Sequence, residues 1–144
     1  MAQYNSLQMT PPRYPVSGPL GAGRTLQNSR GIFNLGTQST GAINSGDTVL
    51  MFKVHRNFLV RSGALKWDAL GTGVTLSLGD AANPTRYFNA VSAATAGSTT
   101  AIADTGRDYN NTALTTIILT IGGGTTNATG QILAELTGVI ENPA

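Results

Sequence analysis

Residues 65–78, with the sequence LKWDALGTGVTLSL, contain two runs of alternating apolar and polar side chains on either side of a Gly-Thr-Gly turn. The first run is 65–69 and the second is 74–78. Such alternation is typical of β-strands with one buried face, because successive side chains point to opposite faces. We therefore predict a β-hairpin over residues 64–79, with Trp67 in the core.

Outward from this hairpin, other segments have the composition of strands. Residues 48–55 carry apolar side chains on both faces, which indicates a central or interface strand. Residues 114–121 are apolar, β-branched or Thr, as in a buried strand. Residues 131–140 fit both helical spacing and alternation, but Gly138 and its β-branched neighbours favour a strand. A glycine-rich loop at 122–130 predicts that these last two strands pair as a hairpin.

One segment carries a helix signal. Asn83 is a capping residue and Pro84 stands at the first helical position, so we predict one short helix near 84–94. Gly and Thr together make up 38 of the 144 residues, which favours turns and strands. Seven to nine strands without βα alternation predict an all-β domain: a β-sandwich, a jelly roll or a small barrel.

The first residues differ from the rest of the chain. We predict an extended N-terminal arm at residues 1–29 and a β-domain at 30–144. Four of the six prolines fall between residues 11 and 19 and favour extended backbone. A disordered terminus is one interpretation. An arm that orders on a partner explains Tyr4 and Tyr14 better, since a solvating tail has little use for tyrosine.

Charge is distributed unevenly. Residues 1–67 have a net charge of +6 and residues 68–144 a net charge of −4, and the first 46 residues contain no acid. The arm and its junction carry Arg13, Arg24 and Arg30. These are either solvated surface charges or a basic segment that meets an acidic partner. Because Lys and Arg are sparse, we expect no direct binding to nucleic acid.

The residue types needed for catalysis are scarce. The chain has no Cys and one His, which excludes a thiol nucleophile, a thiolate metal site and a multi-histidine site within one chain. Asp104 and Asp108 lie in a loop pattern, and Gly122 to Gly124 lack the Lys-Ser/Thr helix of a phosphate loop. We expect no enzyme activity and no cofactor. We also expect no membrane span and no secretion signal, because no apolar run reaches about 18 residues and the first residues lack an apolar core.

A resemblance adds to these inferences. The motif comprises a strand with Lys66-Trp67-Asp68, a Gly-x-Gly turn at 71–73, an alternating strand ending in Gly79-Asp80, then Asn83-Pro84 and the aromatic Phe88. This motif resembles small virion proteins of tailed bacteriophages. The likeness extends more loosely to the strands at 115–121 and 130–141 and covers about 100 residues, without the arm.

The resemblance implies a jelly-roll-like antiparallel β-sandwich that acts as a head decoration, or cement, protein. Such proteins lie on the capsid exterior over junctions between major capsid protein subunits, often as dimers or trimers, and offer no catalytic residues to carry over. The chain is then expected in the host cytoplasm before assembly and in the virion afterwards. A phage tail or fibre component, a glycan- or receptor-binding sandwich, and a sandwich subunit of an enzyme complex remain alternatives.

Partner contacts are assigned to the arm. We expect Tyr4 and Tyr14 to act as amphipathic anchors and Arg13, Arg24 and Arg30 to meet an acidic capsid surface. The two apolar faces of the strand at 48–55 further predict a symmetric oligomer of this chain.

Overall fold

The computed structural model describes residues 2–6, 26–39 and 41–140, and these residues form β-strands, turns and loops without a helix. None of the described residues therefore lies in a helix that could cross a membrane. The all-β prediction is confirmed. The strands are β1 (Gln3–Asn5), β2 (Leu26–Leu35), β3 (Thr48–Val54), β4 (Phe58–Trp67), β5 (Thr75–Gly79), β6 (Phe88–Ser92), β7 (Gly97–Thr99), β8 (Asn110–Asn111), β9 (Thr115–Gly122) and β10 (Gly130–Ile140).

The strands form two sheets that pack as a β-sandwich. Sheet I has the order β1-β3-β9-β5-β6, and sheet II has the order β2-β10-β4-β7, with β8 also paired to β4. Neighbouring strands are antiparallel except β1, which runs parallel to β3. The inward-facing apolar residues of both sheets form one continuous core. Trp67 belongs to it, as predicted, and its indole Nε1 donates to the Thr95 carbonyl at 2.8 Å.

Neither predicted hairpin forms, because each pair of strands is divided between the two sheets. Residues 65–67 belong to sheet II and residues 75–79 to sheet I, so the Gly-Thr-Gly segment crosses from one sheet to the other. The loop between β9 and β10 crosses in the same way. The two crossings lie together, since Asn127 N–H donates to the Leu70 carbonyl at 2.7 Å. Alternation reports which face of a strand is buried, and two facing strands share a core as readily as two paired ones.

The apolar residues on both faces of β3 have a local cause. The register with β9 shifts between Leu50 and Phe52, as at a β-bulge. Because Met51 is the extra residue there, Val49 before the shift, Met51 itself, and Phe52 and Val54 after it are all buried. The buried apolar residues of β3 thus lie in the chain's own core, and β3 is a central strand between β1 and β9, one of the two interpretations given above. The symmetric oligomer stays a prediction.

The short helix predicted near 84–94 is also wrong. Phe88–Ser92 is strand β6, which pairs with β5 and places Phe88 opposite Leu78. Asn83 caps a turn: its backbone N–H donates to Asp80 Oδ1 at 2.8 Å, and its Oδ1 accepts from the Thr85 N–H at 3.2 Å. Asn83 therefore does act as a cap, but it caps a turn, because the apolar residues that follow it pair with β5 at the edge of sheet I.

Part of the segment predicted as the arm belongs to the sandwich. β1 lies at the edge of sheet I, and β2 begins at Leu26, ahead of the predicted domain start at residue 30. Asp47 holds β1: its Oδ1 accepts from the Ala2 N–H at 2.8 Å and its Oδ2 from the Asn44 N–H at 2.9 Å. These two backbone hydrogen bonds lower the pKa of the Asp47 carboxyl. Residues 7–25 lie outside the described part of the chain.

Candidate protein-binding surface

The predicted contact residues are found in different places. Tyr4 is half-buried on β1, and its ring centroid lies 6.1 Å from that of Phe33, so the ring packs on the chain's own core. Arg30 is exposed on the outer face of β2, where it lies opposite Glu135 of β10. The other three, Arg13, Tyr14 and Arg24, lie outside the described residues.

The outer face of sheet II is charged. It carries Arg30 on β2, Glu135 on β10, and Arg61 and Lys66 on β4. Arg61 Nη1 lies 3.2 Å from Asp108 Oδ1, and both side chains are more than half exposed. An exposed pair of this kind adds little stability. Together with Asp108, these side chains are three cations and two carboxylates, a net charge of +1.

The outer face of sheet I is almost uncharged. In its central rows Thr48 lies opposite Thr120, which lies opposite Ser77, and Leu50 lies opposite Ile118. Across the five described strands of sheet I, the only charged residue is Lys53. Apart from Lys53, the side chains of this face are therefore hydroxyl, amide and aliphatic groups.

A groove of about 360 Å³ lies at one end of this face. The loop after β5 supplies one wall and the start of β9 the other, and the lining includes Ala81, Ala82, Tyr109, Leu114, Thr116 and Ile118. Leu114 is 56% exposed, which makes it one of two large apolar side chains that the described residues leave in solvent, the other being Leu26.

A buried ion pair fixes the wall of the groove. Arg86 Nε donates to Asp80 Oδ2 at 2.7 Å, and the guanidinium carbon lies 3.7 Å from the centroid of the Tyr109 ring. Burial acts to lower the pKa of Arg86, but the hydrogen bond and the charge of Asp80 outweigh it and raise that pKa. The ion pair thus closes the β5–β6 connection on itself, and the contact of Arg86 with the Tyr109 ring joins this connection to the loop that precedes β9.

A second polar contact lies behind this wall. Asn111 Nδ2 donates to the Phe58 carbonyl at 3.1 Å and to the Tyr87 hydroxyl at 3.4 Å. Burial raises the pKa of Tyr87 to about 12. These contacts join Tyr87 of the β5–β6 connection to β8 and β4.

The remaining acids are engaged in ion pairs or hydrogen bonds rather than grouped. Arg107 Nη1 lies 3.4 Å from Asp104 Oδ1 at the surface. Within residues 2–6, 26–39 and 41–140, no three His, Cys, Asp or Glu side chains come together as a metal site would require. The described arrangement offers broad surfaces for association.

Sequence reasoning missed Leu114 and the uncharged face. The composition of residues 114–121 predicts a strand that is buried throughout, whereas in this segment only Ile117, Leu119 and Ile121 are buried. The signal that could have separated the faces is the position of Thr116 and Thr120, which alternate with the buried isoleucines and leucine. The groove had no sequence signal, because its walls come from distant parts of the chain.

The fold is shared with two solved phage structures. A chain of the capsid of Ralstonia phage GP4 superposes with a TM-score of 0.79 at 18% identity, and the match covers 99% of this chain and 100% of that one. A chain of the cyanophage Pam1 capsid asymmetric unit gives a TM-score of 0.66 at 24% identity, covering 85% and 90%. No protein-family model and no curated protein matches the sequence. These likenesses establish a common fold.

Proposed function

We propose that this chain is a structural virion protein of a tailed bacteriophage, which decorates the capsid exterior and stabilises it by bridging major capsid protein subunits. The observation that carries the proposal is the end-to-end match to a chain of a phage capsid, which leaves almost no part of either chain unmatched. The resemblance of residues 65–88 to small virion proteins of tailed bacteriophages supports the same proposal.

The sandwich is proposed to be a jelly roll. In favour of this, the chain passes repeatedly between the sheets: β2, β4, β7 and β10 lie in sheet II, and β3, β5, β6 and β9 lie in sheet I. Without β1 and β8, each sheet has four strands, in the orders β2-β10-β4-β7 and β3-β9-β5-β6. Eight strands in two facing sheets are the hallmark of that architecture.

Bridging requires one rigid body with more than one contact surface. The positive outer face of sheet II, with Arg30 and Lys66, suits an acidic capsid surface, and the arm extends the same sign of charge through Arg13 and Arg24. Many identical weak contacts then act together on one shell. We propose that the protein acts by adhesion and catalyses no reaction. The pairing of Asp80 with Arg86 and of Asp108 with Arg61 fits such a role.

The location and copy number of the chain in purified virions test this proposal. Quantitative gel analysis against the major capsid protein should give hundreds of copies, and an electron-microscopy map should show the sandwich on the outer shell. A few to tens of copies, with density in the tail, would instead identify a tail or fibre component. Retention on immobilised glycans would favour the receptor-binding alternative.

The arm has its own test in the full-length protein. Replacing Arg13, Tyr14 and Arg24 by Ala should weaken binding to capsids that lack the protein, and the wild-type affinity should fall as salt is raised. The matched control is Arg107→Ala, which removes one exposed cation already paired with Asp104. Unchanged affinity of the triple variant would rule out the role of the arm.

A further inference from the structure

One end of the sandwich carries an excess of positive charge. Three segments meet at this positive end: 53–61 around the turn between β3 and β4, 79–87 after β5, and 104–116 up to the start of β9. They contain five cations and three carboxylates, a net charge of +2 with the histidine neutral. The loops at the opposite end, between β2 and β3, β4 and β5, and β9 and β10, carry Asp47 and Asp68 but no cation. The two ends of the sandwich therefore differ in the sign of their charge.

The carboxylates of the positive end are compensated within the fold. Each one forms an ion pair with an arginine of the same end: Asp80 with Arg86, Asp104 with Arg107, and Asp108 with Arg61. The excess charge therefore comes from Lys53 and Arg56. Arg56 is exposed in the turn between β3 and β4, and Lys53 is half-buried on β3. A carboxylate of a partner that approaches this end meets a net positive field.

The groove of about 360 Å³ opens at this positive end. Lys53 lies opposite Thr116 and Val54 lies opposite Thr115, and both threonines line the groove. Because residues paired across two strands point to the same face of the sheet, the Lys53 side chain stands beside the groove on the outer face of sheet I. Arg56 follows two residues after the partner of Thr115. The cations thus border the groove along β3 and its turn.

The groove offers an apolar site next to these cations. Its lining includes four aliphatic side chains: Ala81, Ala82, Leu114 and Ile118. Leu114 is 56% exposed, so an apolar side chain that enters the groove would remove its surface from water. Asp80 also lines the groove, but it is only 6% exposed and its charge is met by Arg86. Tyr109 completes the wall, and Tyr and Arg are enriched in protein interfaces.

The combination selects among possible occupants. An acidic protein segment can place an apolar side chain in the groove and carboxylates beside Lys53 and Arg56. Nucleic acid also carries negative charge, but its phosphates provide no aliphatic group for the groove. A second copy of this chain in a twofold contact would bring one positive end against another. Charge complementarity therefore favours the acidic protein segment.

We infer that the groove at Leu114 binds an acidic segment of the capsid subunit, with an apolar side chain in the groove and carboxylates beside Lys53 and Arg56. The inference rests on the proposed function and names the surface of the sandwich that meets the capsid. This contact is separate from the one assigned to the arm. It predicts that one apolar and one charged position at the positive end both contribute to decoration.

The test measures cosedimentation of the purified full-length protein with capsids that lack it, over a range of NaCl concentrations. Leu114→Asp should weaken binding at least about 30-fold at every salt concentration, because it places a carboxylate at the apolar anchor. Leu114→Met keeps the apolar surface and should bind as the wild type does. The matched control is Leu26→Asp, the same change at the other exposed leucine, on β2, and it should also bind as the wild type does.

Arg56 tests the charge separately from the groove. Arg56→Glu should weaken binding about fivefold at low salt, and the difference from the wild type should shrink as salt is raised. Arg56→Lys keeps the charge and should restore the wild-type affinity. Because Leu114 and Arg56 are both exposed, urea unfolding curves should show that all of these variants fold.

The outcomes separate this inference from the proposed function. If the wild type binds capsids and Leu114→Asp and Arg56→Glu bind equally well, the inference is wrong and the proposed function stands. A loss in only one of these two variants, or an equal loss in Leu26→Asp, would also overturn it. If the wild type binds duplex DNA of random sequence as tightly as capsids, and Arg56→Glu weakens both, the positive end binds nucleic acid instead. If the wild type does not bind capsids, the proposed function fails and the inference fails with it.

Discussion

Arg86 and Asp80 form an ion pair at 2.7 Å whose side chains are only 12% and 6% exposed. Both residues belong to the loop after β5, and Arg86 also contacts the Tyr109 ring of a second loop, so the pair positions the side chain that joins the two loops. Because both charges are shielded from water, each depends on the other for compensation.

Loss of one partner should therefore be costly. Arg86→Ala leaves the buried Asp80 carboxylate without its cation and with the Asn83 N–H as its remaining donor, and it should lower the free energy of unfolding by about 3 kcal/mol, measured by urea titration. Arg107→Ala is the control, since it breaks an exposed pair with Asp104 and should cost less than about 1 kcal/mol. Similar losses in the two variants would show that burial of the Arg86 pair has no energetic weight.

The raised pKa of Tyr87 predicts a loss of stability at high pH. Its pKa is raised by burial to about 12, so the folded chain keeps the phenol neutral after the unfolded chain has begun to ionise near pH 10. The raised pKa contributes fully below pH 10, and its contribution is lost as the pH rises to about 12. In Tyr87→Phe the free energy of unfolding should fall less between pH 9 and 11.5, by about 1–2 kcal/mol. Parallel pH profiles for the two proteins would contradict this account.

The lowered pKa of Asp47 predicts a loss of stability at low pH. Its pKa is lowered in the fold, so its contribution is present above the ordinary carboxyl range and is lost as the pH falls through that range. Asp47→Asn should reduce stability at pH 7 and flatten the acid limb of the stability profile. Hydrogen exchange at the Thr48 amide, which donates to the Ala2 carbonyl at 3.0 Å, should accelerate as β1 loosens. Asp104→Asn, at an exposed position, should alter neither measurement.

The contact between β2 and β3 predicts a steric effect at Gly31. A Cβ atom there would collide with the Met51 carbonyl, which is backbone and cannot move aside. Gly31→Ala should destabilise the protein by about 1–3 kcal/mol in urea unfolding. Ser29→Ala, on the same strand and the same face, is the control. Its buried hydroxyl has no hydrogen-bond partner among the described residues, so its removal should be close to neutral. Equal losses would argue against a close approach of the sheets.

Much of the strand content could be predicted because alternation is a local property. The segments at 48–55, 114–121 and 131–140 are strands, and Trp67 is buried. The failures share one cause. Asn83-Pro84 is a genuine turn signal, but whether a helix or a strand follows depends on the edge of β5 that Phe88 joins. The bulge in β3 likewise depends on its register with β9.

The exposed surfaces could be predicted from the sequence less well than the strands. The contact of Tyr4 with a partner stays a prediction. The structure adds that its ring lies against Phe33, because Asp47 holds β1 across a separation of 45 residues. No local pattern reports such a contact. Arg30 is exposed as the alternation of β2 requires, but its neighbour Glu135 comes from the other end of the chain.

The amino-acid order alone settled the class of fold, the position of most strands and the sign of charge on each half, because these follow from local periodicity and composition. Tertiary packing decided which strands pair, where the chain crosses from one sheet to the other and which faces remain exposed. Those properties depend on contacts between residues far apart in the chain. Side-chain alternation does not reveal them, because two strands show the same alternation whether they pair in one sheet or face each other across the core.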